Sequence, residues 1–269
     1  MTWGAASAVR ATFSTDAMVR LGELLDVQVW PPVLAIESTH DTELSHRAAM
    51  DRADAELRGA GFLTVEGIVD DLQLAIQIIA APESQLEARS YTEAGVRRMS
   101  LLRSGHDHVL ALRFGNEVTI ETVSVEGAAS AAAQLTALLG DGAALDLAAS
   151  ISAPTDDLVD RLDAASGMQE YTDALYTIGV DARNAATLGG ALGSLQGHTE
   201  VVASQMWEAT TQQSSGAVVI YETARGRVVA SPSMSPDGRR WTTFAAGTGH
   251  RIRQALGLLV ETLPSGRWR

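Results

Sequence analysis

The stretch DGRRWTTFAAGTGHRIRQALGLLVETL (Asp237–Leu263) decides the fold. Arg239–Ala245 alternates in the way of a half-buried strand, Gly247 and Thr248 interrupt it, and an amphipathic helix follows. Ile252, Leu256, Leu259 and Leu263 share one stripe of that helix, and Thr248 stands at its N-cap. The chain says something similar earlier: GNEVTIETVSVEGAASAAAQLTALL (Gly115–Leu139) is again strand, turn and helix. Placing Gly115 on Gly238 gives an offset of 238 − 115 = 123, which sets Val118-Thr119 on Trp241-Thr242 and Leu135 on Leu258. Upstream, Val109-Leu110-Ala111 matches Val228-Val229-Ala230, the second copy carrying the longer hairpin SPSMSPDG.

Working outward, both halves show the same order of elements. Ser14 caps a first helix with Asp16 in its first turn, and Phe13 and Met18 occupy the two positions of a hydrophobic staple. Pro31-Pro32 ends regular structure. The spacing predicts helices over 42–59, with Leu44, Ala48 and Leu57 on one side, and over 66–80, with Leu72, Ile76 and Ile79 aligned. Strands are expected at 86–92, 97–103, 108–114 and 117–124, joined by links short enough to force an antiparallel meander. After an Ala-rich helix over 125–139, helices are expected at 155–165, 168–178 and 181–195, strands at 200–210, 217–223, 227–234 and 239–245, and the final helix at 249–263.

The expected fold is therefore α+β: two pseudo-symmetric halves, each an antiparallel meander sheet with packed helices. The N-terminal subdomain covers 1–140, the junction 141–154 and the C-terminal subdomain 155–269. Each copy alone is small and open-edged, and joining two buries sheet edges and helix faces together. Chance similarity over a short stretch is the competing account of the repeat.

Composition prunes the chemistry. The 269 residues are 46% hydrophobic and 20% charged, ordinary for a globular chain long enough to bury a core. A formal charge of −13 argues against nucleic-acid binding, because it repels a phosphate backbone. The first residues, MTWGAASAVRATFSTDAMVR, lack a charged segment followed by an apolar one, and no apolar run is long enough for a bilayer. A cytoplasmic protein is expected, with no membrane partner. There is no cysteine and no lysine, so thiol nucleophiles, thiolate metal sites, Schiff bases and P-loop lysines are all absent.

The remaining polar residues give no catalytic site. His106-Asp107-His108 is the one local histidine cluster, and alternation would put both rings on one face of a strand, but no third ligand lies nearby. A solvated turn is the simpler reading. Asp70-Asp71 and Asp156-Asp157 fall at helix starts, where carboxylates stabilise orphan amides. Gly189, Gly190 and Gly193 lie within a helical pattern, where small residues suit close packing better than phosphate binding. No catalytic residue, cofactor or metal is assigned.

What remains is surface. The strand over 200–210 alternates as Val201, Ala203, Gln205, Trp207 against Val202, Ser204, Met206, Glu208, and neither set is cleanly polar. Its neighbour places Val218 and Ile220 on one side, Val219 and Tyr221 on the other. A sheet apolar on both faces is covered twice, either by its own helices or by a partner. Met206, Trp207, Tyr221, Val219 and Gln205 are the protein-binding candidates, supported by the helix over 181–195.

The run SPSMSPDGRRWTTFAAGTGHRIRQALGLLVETLPSGRW (Ser231–Trp268) resembles the end of the EspG family, cytosolic chaperones associated with type VII (ESX) secretion in actinobacteria. FSTDAMVRLGELLDVQVWPPVLAI and EARSYTEAGVRRMSLLRSGHDHVLALRFGNEVTIETV resemble its opening helix with the Pro-Pro turn and its first meander. The resemblance implies a quasi-two-fold α+β fold. It also implies a non-catalytic role: binding a PE–PPE heterodimer through the apolar tip of the PPE helical hairpin, keeping it soluble and directing it to its own secretion system. The family's binding surface, built from the central sheet and the C-terminal helical bundle, follows no motif that transfers to individual residues here. Without its client, the uncovered sheet favours a weak homodimer. The alternative is a metal-dependent hydrolase using His106 and His108.

Overall fold

The computed structural model describes residues 9–268. The part of the leader reading that rests on residues 1–8 lies outside the described residues. Two compact units emerge, one running up to Glu87 and including Gly95–Val125, the other formed by Ala88–Ala94 and Glu126–Trp268. Among the described residues no helix is long and apolar enough to cross a membrane.

The first unit begins with β1 (Arg10–Ser14), α1 (Thr15–Leu24), α2 (Glu43–Gly59) and α3 (Asp70–Ala80). The strands β2 (Ser84–Thr92), β3 (Gly95–Ser104), β4 (Asp107–Phe114) and β5 (Glu117–Thr122) follow as the expected meander, and β1 is added beyond β5. Ser14 closes β1 and caps α1, its hydroxyl accepting from the Ala17 N–H at 3.1 Å. The Gly115-Asn116 link needs a left-handed residue, which glycine supplies at φ +58°. Phe13, Met18, Leu21, Leu34, Leu57 and Ile76 are buried together in the core of this unit. Each such side chain contributes roughly 1.5–3 kcal/mol.

Two readings of this unit are corrected. β1 was not expected, because Arg10–Ser14 is short and holds one large apolar residue, Phe13. It exists because β5 offers an unpaired edge, with Phe13 opposite Val118. On α2 the buried residues are Ala49, Met50, Ala53 and Leu57, whereas Leu44 is 79% exposed. Leu44 lies beside the capping box of Thr42 and Ser45, in a first turn that projects beyond the core.

The second unit contains α4 (Gly127–Leu138), β6 (Ile151–Pro154), α5 (Thr155–Leu162), α6 (Met168–Thr177) and α7 (Ala182–Leu192). Then come β7 (Leu195–Trp207), β8 (Thr210–Gln213), β9 (Val218–Thr223), β10 (Val228–Met234), β11 (Arg240–Ala246) and α8 (Gly249–Glu261). Its antiparallel strands run β7-β9-β10-β11-β6, with β8 folded back on β7. The segment expected as a junction thus supplies a strand: Ile151 pairs opposite Phe244 and Pro154 opposite Trp241. Asp156 and Asp157 stand in the first turn of α5, and Asp70 and Asp71 in that of α3, as their dipole preference implies.

The helix stripe that opened the reading is present. Ile252, Leu256, Leu259 and Leu263 are all buried, and Thr248 caps α8 by accepting from the Arg251 N–H. The offset of 123 does not extend into the helices: Leu135 is fully buried while Leu258 is 52% exposed. Residues 123–126 link β5 to α4, but only Gly247 and Thr248 link β11 to α8, so the two helices start in different rotational register.

The expected strand over 200–210 also ends early. The chain reverses at Glu208-Ala209, both with positive φ (+47° and +62°), and returns as β8. A two-residue turn of this kind normally advertises itself with Asn-Gly or Gly-Gly. Glu-Ala carries no such signal.

Candidate functional site

The candidate binding residues lie on β7 and β9. Cross-strand partners share a face, so the register assigns sides: His198 lies opposite Tyr221, and Glu200 opposite Val219. Tyr221 in turn faces Val228, Val219 faces Ala230, and Ala230 faces Phe244. The other face carries Val201 opposite Val218 and Thr199 opposite Ile220. All four are buried, on the side against which α8 packs.

The first face is covered unevenly. Leu158, Leu175, Ala185 and Leu188 from α5, α6 and α7 pack over Val228, Ala230 and Phe244. That cover depends on a close approach of α6 and α7. A Cβ on Gly189 would come within 2.6 Å of the Thr172 backbone nitrogen, and one on Gly193 within 2.7 Å of the Met168 Cα. The small-residue run therefore packs helices, as its composition suggested. Toward β7 the cover thins: Val219 and Tyr221 are half-buried and Glu200 is exposed.

The five candidates are thus divided. Val219 and Tyr221 pack against the core of the second unit on the helix-covered side. Gln205 lies on the α8 side at 8% exposure, and its Oε1 accepts from the Ser265 N–H at 3.1 Å, tying down the chain that follows α8. Met206 (49% exposed) and Trp207 (43%) crown the β7–β8 hairpin and are open to solvent. Among the five, these two hold the exposed apolar surface.

Sequence reasoning missed a row of rings beside Tyr221. Tyr91, near the end of β2, stacks on His198 with centroids 4.8 Å apart and planes at 21°. His198 continues to Tyr221 at 6.5 Å, and Tyr221 to Phe244 at 6.3 Å. Burial is the main reason the Tyr221 phenol titrates above its ordinary value, followed by the charges of Glu200 and Asp163. Alternation around 198 and 221 could have suggested two of these rings. Tyr91 was out of reach, because its distance along the chain hides the contact.

The alternative centre lies elsewhere. A cavity of ≈ 320 Å³ in the first unit is lined by His106, Asp107 and His108 with Leu74 and Ile78 of α3. His108 is 6% exposed, its Nδ1 is 3.0 Å from the His106 carbonyl oxygen, and burial lowers its pKa from the ordinary value. Among the described residues no group of three His, Cys, Asp or Glu side chains is placed to hold a metal ion.

A profile of the EspG family matches residues 14–257. The chain belongs to the EspG family. It is 24% identical over 258 residues to the ESX-1 secretion-associated protein EspG1 of Mycolicibacterium smegmatis, covering 94% of this chain and 87% of that one. It is 25% identical to the ESX-3 secretion-associated protein EspG3 of Mycobacterium tuberculosis, covering 92% and 89%. With the ESX-5 secretion-associated protein EspG5 of Mycobacterium marinum it shares 24% identity, covering 96% and 95%. Among solved structures it matches the Mycobacterium tuberculosis type VII secretion system chaperone EspG5, determined in complex with a PE25-PPE41 dimer. The TM-score is 0.80 at 19% identity, over 97% of this chain and 99% of that one. This EspG-family member therefore has the family's fold along nearly its whole length.

Proposed function

We propose that this chain is a non-catalytic cytoplasmic chaperone of a type VII secretion system. It binds the apolar helical tip of a PE–PPE heterodimer, keeps that client in solution and directs it to its own secretion system. The observation that supports this most is the fold shared end to end with a chaperone that was solved with a PE–PPE dimer. Met206, on the sheet face whose helix cover thins toward β7, and Trp207, next to it at the tip of the hairpin, offer exposed apolar surface for such a tip. Burial of apolar area at about 25 cal/mol per Å² drives the association. An interface of standard size, roughly 1,600 Å², is sufficient for a specific complex.

Co-expression of the tagged chain with each PE–PPE pair of its source tests the proposal. A stable complex of one chaperone with one PE–PPE pair, by light scattering after size exclusion, is the expected result. Failure of every pair to co-purify with a folded chaperone would overturn it.

A further inference from the structure

We infer that the tip of the β7–β8 hairpin, from Met206 to Gln213, is a sprung flap. Its Glu208-Ala209 turn opens on the client and brings Trp207 to the side on which Met206 already lies. The inference rests on the chaperone reading and adds to it the way in which that site closes.

Strand geometry creates the need for a change of shape. Consecutive side chains of a strand leave opposite faces. On β7, Met206 therefore lies on the side of Glu200, where helix cover thins, and Trp207 on the side of Gln205, which holds the chain after α8. A rigid hairpin offers a single helical tip one of these side chains but not both. Each is left bare, at 49% and 43% exposure, and neither has an apolar partner across the hairpin. Met206 stands opposite Thr211, and Trp207 opposite Thr210.

The hairpin is built to deform at its tip. From Met206 through Gln213 every residue is exposed, so no side chain of the flap is held in a core. Its base is fixed. The Ser214 N–H donates to the Ala203 carbonyl at 2.8 Å, the Ser214 hydroxyl accepts from the Ala203 N–H at 3.2 Å, and Gln205 is tied to Ser265. Below that clamp, Val201 and Val218 pair and are buried. The strain lies at the far end of the free part. Glu208 and Ala209 have φ of +47° and +62°, a conformation that a Cβ disfavours at each residue. Two-residue turns usually escape that cost with Asn or Gly. Strain of this kind gathers at ligand clamps and switch segments. Opening the turn relieves it, and the client touches both Met206 and Trp207 only in the open form. That difference in contact is what draws the hairpin open.

The test uses the full chain, hydrogen exchange and a PE–PPE pair that it binds. In the free chain, amides bonded across the β7–β8 ladder should exchange roughly a hundredfold faster than those of Thr199 and Val201. Glu208→Asn with Ala209→Gly removes the strain and leaves Met206 and Trp207 in place. This double variant should slow exchange in the hairpin about tenfold, and weaken the complex about tenfold because fewer molecules open. Adding Trp207→Ala to it should cost little further affinity, since Trp207 no longer reaches the client. Glu208→Gln alone, which removes only the charge, should bind as the parent does. Undiminished affinity in the double variant, a full further loss on adding Trp207→Ala, or an equal loss from Glu208→Gln alone would overturn the inference and leave the chaperone reading intact. If the parent binds no PE–PPE pair, the chaperone reading fails, and exchange in the free chain still decides the flap. Hairpin amides as slow as those of Thr199 and Val201, or unchanged in the double variant, would overturn it.

Discussion

Arg98 and Arg113 stand directly opposite each other on β3 and β4, two like charges paired across the sheet. Such a pair is destabilising unless each charge is engaged elsewhere. Both reach the loop that follows Pro31-Pro32. Arg98 Nη1 donates to the Val33 carbonyl at 3.2 Å, and Arg113 Nη1 donates to those of Leu34, at 2.9 Å, and Ala35. Ala35 itself has φ +47°, a conformation that alanine adopts only under constraint. Burial, then the charge of Arg98, lowers the Arg113 pKa from its ordinary value.

Removing Arg113 therefore frees a strained loop. Arg113→Ala should lower unfolding stability by about 1–3 kcal/mol, the scale for hydrogen bonds from a charged donor. Arg98→Ala should cost less, since it loses one such bond and relieves the like-charge pair. Urea denaturation of both variants measures the difference, and equal losses would contradict this account of the loop.

Gly189 and Gly257 should respond oppositely to alanine. At Gly189 the new methyl meets the backbone of Thr172, so α6 and α7 must separate, at a cost of about 1–3 kcal/mol. At Gly257, inside α8, nothing lies within 4 Å of the added Cβ, and the better helix former should stabilise by roughly 0.5–1 kcal/mol. Thermal unfolding followed by circular dichroism compares them directly.

His108 should impose a pH dependence on stability. Burial holds its folded-state pKa below the ordinary 6.5. The unfolded chain then takes up a proton at a pH where the folded chain does not, so this contribution is complete above pH 6.5 and declines as pH falls through that value. Denaturant midpoints for the parent and His108→Gln between pH 7.5 and 5 should diverge in slope, the parent falling more steeply. Parallel curves would remove His108 as the source.

Trp207 and Gln205, two residues apart on β7, should separate binding from stability. Trp207→Ala, at a 43% exposed position, should leave the unfolding midpoint nearly unchanged and weaken the PE–PPE complex at least tenfold, as for a central aromatic anchor. Gln205→Ala leaves the Ser265 N–H without its acceptor and should cost about 1 kcal/mol of stability. Its effect on client affinity should be small. Calorimetric titration beside urea denaturation reads both quantities, and undiminished affinity in a stable Trp207→Ala would take that residue out of the interface.

Local physics explains which features were legible in the chain alone. The caps at Ser14 and Thr248, the stripe Ile252–Leu263, the meander from β2 to β5 and the close-packing glycines of α7 each depend on neighbours a few residues away. Helical and strand periods make such features readable. β1 was not legible, because its five residues become a strand only when the edge of β5 is beside them. The turn at Glu208-Ala209 was hidden as well, since neither residue type favours the left-handed conformation it adopts there.

The sequence by itself determined the order of elements, the apolar stripes that bury them and the absence of thiol and amine chemistry. Only the tertiary structure decided which apolar residues stay at the surface. Gln205 and Met206 are adjacent in the chain, yet one is closed under the residues after α8 and the other is open, because strand alternation sends them to faces with different cover. Tertiary structure likewise stacked Tyr91 on His198 across more than a hundred residues of chain and set the Glu200 carboxylate 3.6 Å from the same imidazole. Contacts between distant segments carry no periodic signature, so their consequences emerge only once the chain has folded.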